Sequence, residues 1–96
     1  MRPSEALNRH REDIRSIVQS NRANNPRVFG SVLRGEDTEG SDLDLLVDPT
    51  PETSIFDIGA LRFRLRTLLG VEVDVLTPEA LHIQLREQVV AEALPV

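Results

Sequence analysis

Three aspartates and a Gly-Ser pair are the residues whose types and spacing favour chemistry in this chain of 96 residues. Asp42 and Asp44 stand two apart at the start of a run otherwise made of Leu and Val. Because side chains alternate along a strand, both carboxylates project from one face while their apolar neighbours enter the core. Asp74 lies in a second alternating segment, "VEVDVL", on the face opposite its valines. A neighbouring strand therefore brings three carboxylates to one place in this interpretation.

A group of three carboxylates requires a compensating positive charge, because like charges within about 4–6 Å raise one another's pKa. No Lys lies near these positions, and the nearest basic residue is Arg34. A hard divalent cation is therefore the simplest compensator, and Mg²⁺ fits best. Since Mg²⁺ takes one or two carboxylates and completes its shell with water and phosphate oxygens, this site implies a nucleoside triphosphate partner.

The pair Gly30 and Ser31 is the candidate phosphate-binding element. A glycine lets the backbone approach a ligand closely, and amides at the start of a following helix can bind phosphate. The spacing from Gly30 to Gly35 also fits half of a P-loop, but Glu36 and Asp37 stand where that motif requires Lys and Ser or Thr. The P-loop is therefore rejected, and no EF-hand spacing is present.

Length and composition limit the remaining classes of protein. A chain of 96 residues, with 40% hydrophobic and 28% charged residues, predicts one globular domain over residues 1–96. The net charge of −5 and the absence of Trp and Tyr argue against direct nucleic-acid binding. Without cysteines or an apolar run of roughly 20 residues, we expect no disulfide, no thiol chemistry, no membrane partner and a cytoplasmic location.

Hydrophobic periodicity and stop residues predict alternating helices and strands. We expect helices over about 4–22, over 54–69 and from residue 77 towards Pro95, and strands over 27–30, 42–48 and 71–76. Ser54 and Asp57 resemble a capping box, and Gly70 ends that helix. Thr77 is the expected cap of the last helix, with Pro78 at its first position. This order predicts an α/β (α+β) fold in which helices pack on a small mixed β-sheet.

Two predicted helices carry more apolar residues than one buried stripe needs. The helix over 54–69 has a core stripe and, on its other side, two phenylalanines: Ile58, Leu61, Leu65, Leu68 and Leu69 against Phe56 and Phe63. The last helix has two stripes: Leu81, Leu85 and Val89, then Ile83, Val90 and Leu94. Either neighbouring helices cover both sides, or the second side is an interface with another copy or a partner. His10 and His82 are interpreted as surface or boundary residues.

The combined motif resembles a known family. The segments "GSVLRGEDTEGSDLDLLV" and "VEVDVL" are similar to the minimal nucleotidyltransferases of the DNA polymerase β superfamily: a Gly-Ser, a spacer, Asp-x-Asp and a later third Asp. The resemblance spans nearly the whole chain and implies a polymerase β-like nucleotidyltransferase fold. One departure is Leu33, where relatives often carry a small residue, and it affects the expected shape of the phosphate turn rather than the metal site.

The resemblance also implies roles for individual residues. It makes Asp42, Asp44 and Asp74 the catalytic ligands of one or two Mg²⁺ ions, with Asp74 also helping to deprotonate an acceptor hydroxyl. With ATP as substrate, the implied nucleotide-binding residues are Gly30, Ser31, Arg34 and Ser41.

The function that follows is Mg²⁺-dependent transfer of AMP from ATP to a hydroxyl. By resemblance, the acceptor is a tyrosine of a HEPN-domain ribonuclease toxin, which makes the chain an antitoxin, with a homo-oligomer as a further expected assembly. A non-catalytic module that silences the toxin by occlusion is the alternative. Transfer to a small molecule such as an antibiotic is a third option, for which so short a chain has little spare structure.

Overall fold

The structure is a computed structural model that describes residues 1–96. Its elements, in chain order, are α1 (Pro3–Arg9), α2 (Arg11–Ser20), β1 (Ala23–Phe29), α3 (Gly30–Leu33), β2 (Leu43–Pro49), α4 (Ile55–Leu69), β3 (Val73–Leu76), a 3-10 turn (Pro78–Ala80), α5 (Ile83–Glu92) and β4 (Leu94–Pro95). No helix has both the length and the apolar character that crossing a membrane requires.

The four strands form one mixed sheet in the order β3-β2-β1-β4. β2 is parallel to β3 and antiparallel to β1, which in turn pairs antiparallel with β4. The expected α/β fold with a small mixed sheet is therefore confirmed. The two-residue strand β4 was not predicted; it lies at the sheet edge beside β1, and the Val96 amide donates to the Pro26 carbonyl at 2.9 Å.

One face of the sheet carries the hydrophobic core. Strands β2 and β3 alternate, so every second side chain enters this core, where α2 and α4 cover it. The strand residues buried there are Leu43, Leu45, Val47, Val73 and Val75. The intervening residues of the same strands, including Asp44 and Asp74, project from the opposite face. The alternation predicted from the sequence thus separates the core from the acidic residues.

The predicted first helix is two helices that meet at His10. The stretch between Leu7 and Ile14 holds no apolar residue, so nothing there binds the chain to the core. His10 leaves helical geometry at φ −127 and ψ 26 and ends α1, while its ring nitrogen lies 3.1 Å from the Asp13 carboxylate in the first turn of α2. The prediction of one helix over about 4–22 is therefore wrong at this junction.

The prediction that Thr77 caps the last helix is also wrong. Pro78 begins a 3-10 turn instead, and α5 starts at Ile83 after His82, whose ring nitrogen accepts the Gln84 amide at 3.2 Å. The Pro78 carbonyl accepts the Leu81 amide at 3.2 Å, the i to i+3 bond of a 3-10 turn, and also the Nε of Arg86 at 2.8 Å, which ties this turn to α5.

Helix α4 follows the prediction closely. Ser54 and Asp57 form the expected capping box, and Gly70 ends the helix with a left-handed φ of 69. Its core stripe is buried or half-buried, whereas Phe56 and Phe63 are 81% and 68% exposed. The stripe predicted for the last helix differs, because no residue of α5 is buried. Coverage of both stripes by neighbouring helices, one of the two expected alternatives, is therefore wrong for this helix.

Candidate active site

The strand pairing places two of the three aspartates side by side. In the parallel pair of β2 and β3, Asp44 is the register partner of Asp74. In the antiparallel pair of β2 and β1, Asp44 is the partner of Phe29. Directly opposed residues share a face of the sheet, so these three side chains form a row across three strands. Asp42 precedes β2 by one residue, on the same side as Asp44, and is exposed.

The electrostatics of Asp44 reflect its acidic neighbours. Burial, together with the negative charges of Asp74 and Asp42, raises the pKa of the Asp44 carboxyl to about 6, against the lowering effect of the Arg34 guanidinium. A carboxyl with two acidic neighbours gains from any bound cation, which removes that repulsion. The carboxylates in this row therefore repel one another, and a bound cation would relieve that repulsion.

The donor set fits a hard cation. All the candidate ligands are carboxylate oxygens, which Mg²⁺ prefers, and Mg²⁺ commonly takes only one or two of them from a protein. The side chains do not form a ready group of three or more acids and histidines around one point. Asp44 and Asp74 are the pair that the register brings together, with Asp42 at the rim. The assignment of all three to metal binding stays a prediction.

Gly30 packs directly against this row. Its φ is +75, and a Cβ there would lie 2.2 Å from Oδ2 of Asp44. A side chain is therefore excluded on two grounds, backbone conformation and contact with the carboxylate. Ser31 follows in α3 and is half-buried. The turn from β1 into α3 thus brings bare backbone next to the acidic row, as the predicted phosphate-binding role requires.

The other predicted nucleotide-binding residues lie around this turn at different distances from it. Arg34 ends α3, is exposed, and its Nε donates to Glu36 at 3.1 Å. Arg34 and Leu33 line one cleft with Gly30, whereas Ser41 lines a separate cleft beside Arg66. The Ser41 hydroxyl accepts the Thr38 amide at 2.9 Å and so shapes the loop before Asp42.

A buried carboxylate holds the same loop to the N-terminal helix. Oδ2 of Asp37 accepts the Ser4 backbone amide at 2.9 Å. This hydrogen bond lowers the pKa of the Asp37 carboxyl below its usual range. The long connection between α3 and β2 is thereby anchored only five residues before Asp42, an interaction that sequence reasoning missed because it joins positions 33 residues apart.

Sequence reasoning also missed the contribution of α5. Four side chains on one face of α5 line a cleft of about 280 Å³, with Gly30 and Arg34 on its other side. They are Leu85, Gln88, Val89 and Glu92. Their i, i+3, i+4, i+7 spacing was available in the sequence, but Leu85 and Val89 were interpreted only as part of an apolar stripe. Phe29, the register partner of Asp44, lines the same cleft.

Comparisons with known proteins identify the family. Residues 7–96 match the family described as nucleotidyltransferase domain. The protein MJ0435 of Methanocaldococcus jannaschii, assigned as a protein adenylyltransferase, is 34% identical over 90 residues, which are 94% of this chain and 97% of the relative. A solved structure described as a minimal nucleotidyltransferase superposes with a TM-score of 0.87 at 44% identity, covering 97% of this chain and 95% of that one.

A more distant structure shares the fold. It is a toxin-antitoxin crystal structure with AMP-PNP, with a TM-score of 0.74 at 22% identity, covering 88% of this chain and 69% of the other. The nucleotidyltransferase fold expected from the motif is therefore confirmed. With its family match over nearly its full length, the chain belongs to the nucleotidyltransferase domain family and is a nucleotidyltransferase of the minimal type.

Proposed function

We propose that this chain is a Mg²⁺-dependent enzyme that transfers AMP from ATP to a hydroxyl of a partner protein. The acceptor in this proposal is a tyrosine of a HEPN-domain ribonuclease toxin, so the chain acts as an antitoxin, with residues 1–96 forming one minimal nucleotidyltransferase domain. The names of its relatives support protein adenylyltransfer. The toxin-antitoxin assembly with AMP-PNP supports a toxin partner and a nucleotide substrate.

The observation that carries the proposal is the pairing of Asp44 with Asp74, with Gly30 against Asp44. Carboxylates for a cation and bare backbone for phosphates then lie at one place. Phosphoryl transfer depends mainly on positioning and charge stabilisation, so a small domain needs little more than these groups. A merely structural role does not account for two adjacent acids, one of them with a raised pKa.

The chemistry follows from these placements. The acceptor hydroxyl oxygen bonds to the α-phosphorus of ATP, the bond from that phosphorus to the β-phosphate oxygen breaks, and pyrophosphate leaves. Asp74 accepts the hydroxyl proton. Asp42 and Asp44, with Asp74, would hold the metal, and bound Mg²⁺ supplies neutralisation of the charge on the phosphoryl oxygens. The backbone at Gly30 and Ser31 binds the departing phosphates.

The test is the mass of the partner. The chain is incubated with ATP, Mg²⁺ and a HEPN-domain toxin, and intact mass spectrometry follows the toxin. We expect a gain of one or more AMP units with the native chain and none with Asp74→Asn. Glu12→Gln, which changes an exposed acid on α2 away from the site, is the matched control and should modify the toxin fully. Full transfer by the Asp74→Asn protein contradicts the assignment.

The occlusion alternative rests on a different observation. Ile55, Phe56 and Phe63 leave α4 with exposed apolar side chains, and such surfaces mark protein contacts. In a binding module, toxin and chain associate stably while the toxin mass stays unchanged. The same experiment therefore separates the two functions, because association without added AMP would replace the enzyme with the module.

A further inference from the structure

Helix α5 directs an apolar face towards the body of the protein but buries none of its residues completely. Leu85 and Val89 point into the cleft of about 280 Å³ that lies between α5 and Gly30. Leu85 nevertheless stays 54% exposed, and no residue of α5 is buried. Aliphatic side chains of an inward helix face normally close such a gap by direct packing. The open space has nearly the volume of a small ligand site.

The polar edge of this cleft has a defined hydrogen-bonding character. Nε2 of Gln88 donates to Oε1 of Glu92 at 3.3 Å, one helical turn away. This bond leaves the Gln88 carbonyl oxygen and the second Glu92 carboxylate oxygen as free acceptors, and one further Gln88 N–H as a donor. The edge that α5 offers is thus rich in acceptors, between aliphatic walls formed by Leu85 and Val89. It fits a flat group with apolar faces and a donating edge.

The cleft is continuous with the proposed phosphate site. Gly30 and Arg34 belong to both, and Phe29 connects the cleft to Asp44 in the cross-strand row. A ligand seated between α5 and Gly30 therefore lies within reach of a nucleotide whose phosphates sit at the turn. The base is the flat part of a nucleotide, and its edge distinguishes one nucleotide from another.

Resting on the proposed nucleotidyltransfer, we propose that this cleft binds the base of the substrate and that Gln88 and Glu92 select adenine by accepting hydrogen bonds from its 6-amino group. Hypoxanthine is almost the same shape but carries an oxygen at that position. Its oxygen would face the Gln88 carbonyl and Glu92 carboxylate oxygens, and only the one remaining Gln88 N–H could pair with it, so fewer hydrogen bonds form than with the amino group. Guanine and uracil carry the same kind of oxygen at the corresponding edge.

The experiment compares ATP with ITP, the triphosphate of hypoxanthine, by titration calorimetry of the full chain with Mg²⁺. We expect ATP to bind about tenfold more tightly than ITP. The double variant Gln88→Leu/Glu92→Leu should bring this ratio close to one by weakening ATP alone. Glu87→Leu, the same kind of change on the outward side of α5, should keep the tenfold preference. Circular dichroism checks that each variant retains its helices.

The outcomes separate this inference from the function on which it rests. Equal affinity for ATP and ITP, or a preference that survives in the double variant, overturns base selection by α5 and leaves nucleotidyltransfer intact. A weaker interaction with the partner protein, at unchanged nucleotide preference, would assign the cleft to the acceptor side chain and also overturn the inference. Failure of every nucleoside triphosphate to bind overturns both proposals.

Discussion

Alternate residues of strands β2 and β3 make the two faces of the sheet, and the two faces differ in charge and in what covers them at the level of Asp44 and Asp74. One face buries Leu43, Leu45 and Val47 completely under α2 and α4. The other carries Asp44 beside Asp74 next to an open cleft against α5, and further along β2 it buries Leu46. Because side chains alternate along a strand, neighbouring residues of β2 contribute to the core and to the candidate site in turn. Substitutions on the two faces should change different measurements.

The largest expected contrast lies between two residues on the same face of β2, Asp44 and Asp48, whose substitutions should affect transfer and stability differently. Asp44 has acidic neighbours, whereas Asp48 pairs with the Arg27 guanidinium, whose side chain is only 11% exposed. We expect Asp44→Asn to reduce AMP transfer by roughly 10²–10³-fold without loss of stability. Asp48→Asn should keep transfer and lower the free energy of unfolding by about 1–2 kcal/mol, because Arg27 loses its partner.

Toxin mass and urea unfolding measure the two effects on the same preparations. The assignment of Asp44 to transfer and Asp48 to stability would be contradicted if Asp44→Asn unfolded more easily than the native chain, or if Asp48→Asn lost transfer while folded. Either result would mean that this face of β2 serves one purpose along its whole length.

A second prediction contrasts the core with the cleft. Leu45→Ala removes a fully buried side chain, so it should lower the free energy of unfolding by about 2–5 kcal/mol. Leu85→Ala truncates the same residue type on α5, where burial is incomplete, and should change it by only about 0.5 kcal/mol. Urea denaturation with a common slope measures both. Comparable losses would show that α5 is packed as firmly as the core.

Gly30 and Gly35 form a matched pair that tests how a side chain next to Asp44 affects AMP transfer. Their φ angles, +75 and +71, impose the same backbone strain on an alanine, but only at Gly30 does the new Cβ meet Asp44; at Gly35 the space is open. Gly30→Ala should therefore displace the Asp44 carboxylate and reduce transfer about 10–100-fold beyond any loss in Gly35→Ala. Single-turnover assays at saturating ATP make the comparison. Equal losses of transfer in the two variants would show that backbone strain alone, and not contact with Asp44, causes the loss.

Much of the site face could be predicted because its information is local. Alternation in "DLDLLV" and "VEVDVL" predicts which residues enter the core, and the capping box at Ser54 needs only three residues of context. The family resemblance added the expected nucleotidyltransferase fold. The roles of Gly30, Ser31, Arg34 and Ser41 in nucleotide binding remain predictions.

The failures share a dependence on distant partners. Pro78 begins a 3-10 turn instead of the predicted helix, and Arg86, eight residues on, binds the carbonyl of Pro78. The pairing of Arg27 with Asp48 exists only after β1 and β2 meet. Leu85 and Val89 have the periodicity of core residues. Periodicity shows which residues share a helix face, but not how closely that face packs against the rest of the protein. Local patterns therefore located the acidic row and missed the cleft beside it.

The smallest expected effect is the pH dependence of stability that Asp44 contributes. Burial and acidic neighbours raise its pKa from 3.8 to about 6, so the folded protein keeps this proton between those values while the unfolded chain releases it. The folded state then binds more protons than the unfolded state, and stability falls as pH rises through this window. The full difference corresponds to about 3 kcal/mol, and partial exposure to water reduces it to on the order of 1 kcal/mol.

Subtracting the unfolding free energy of the native chain from that of Asp44→Asn isolates this effect from other titrating groups. In a buffer with a chelator, the difference should be near zero at about pH 4 and reach on the order of 1 kcal/mol in favour of the variant above the pKa of Asp44. Because burial is the larger cause of the raised pKa, most of the difference should persist in concentrated salt, which screens only the acidic neighbours. A difference that does not change with pH would mean that Asp44 ionises as freely in the folded site as in the unfolded chain, and that the acidic row lacks the frustration that a cation relieves.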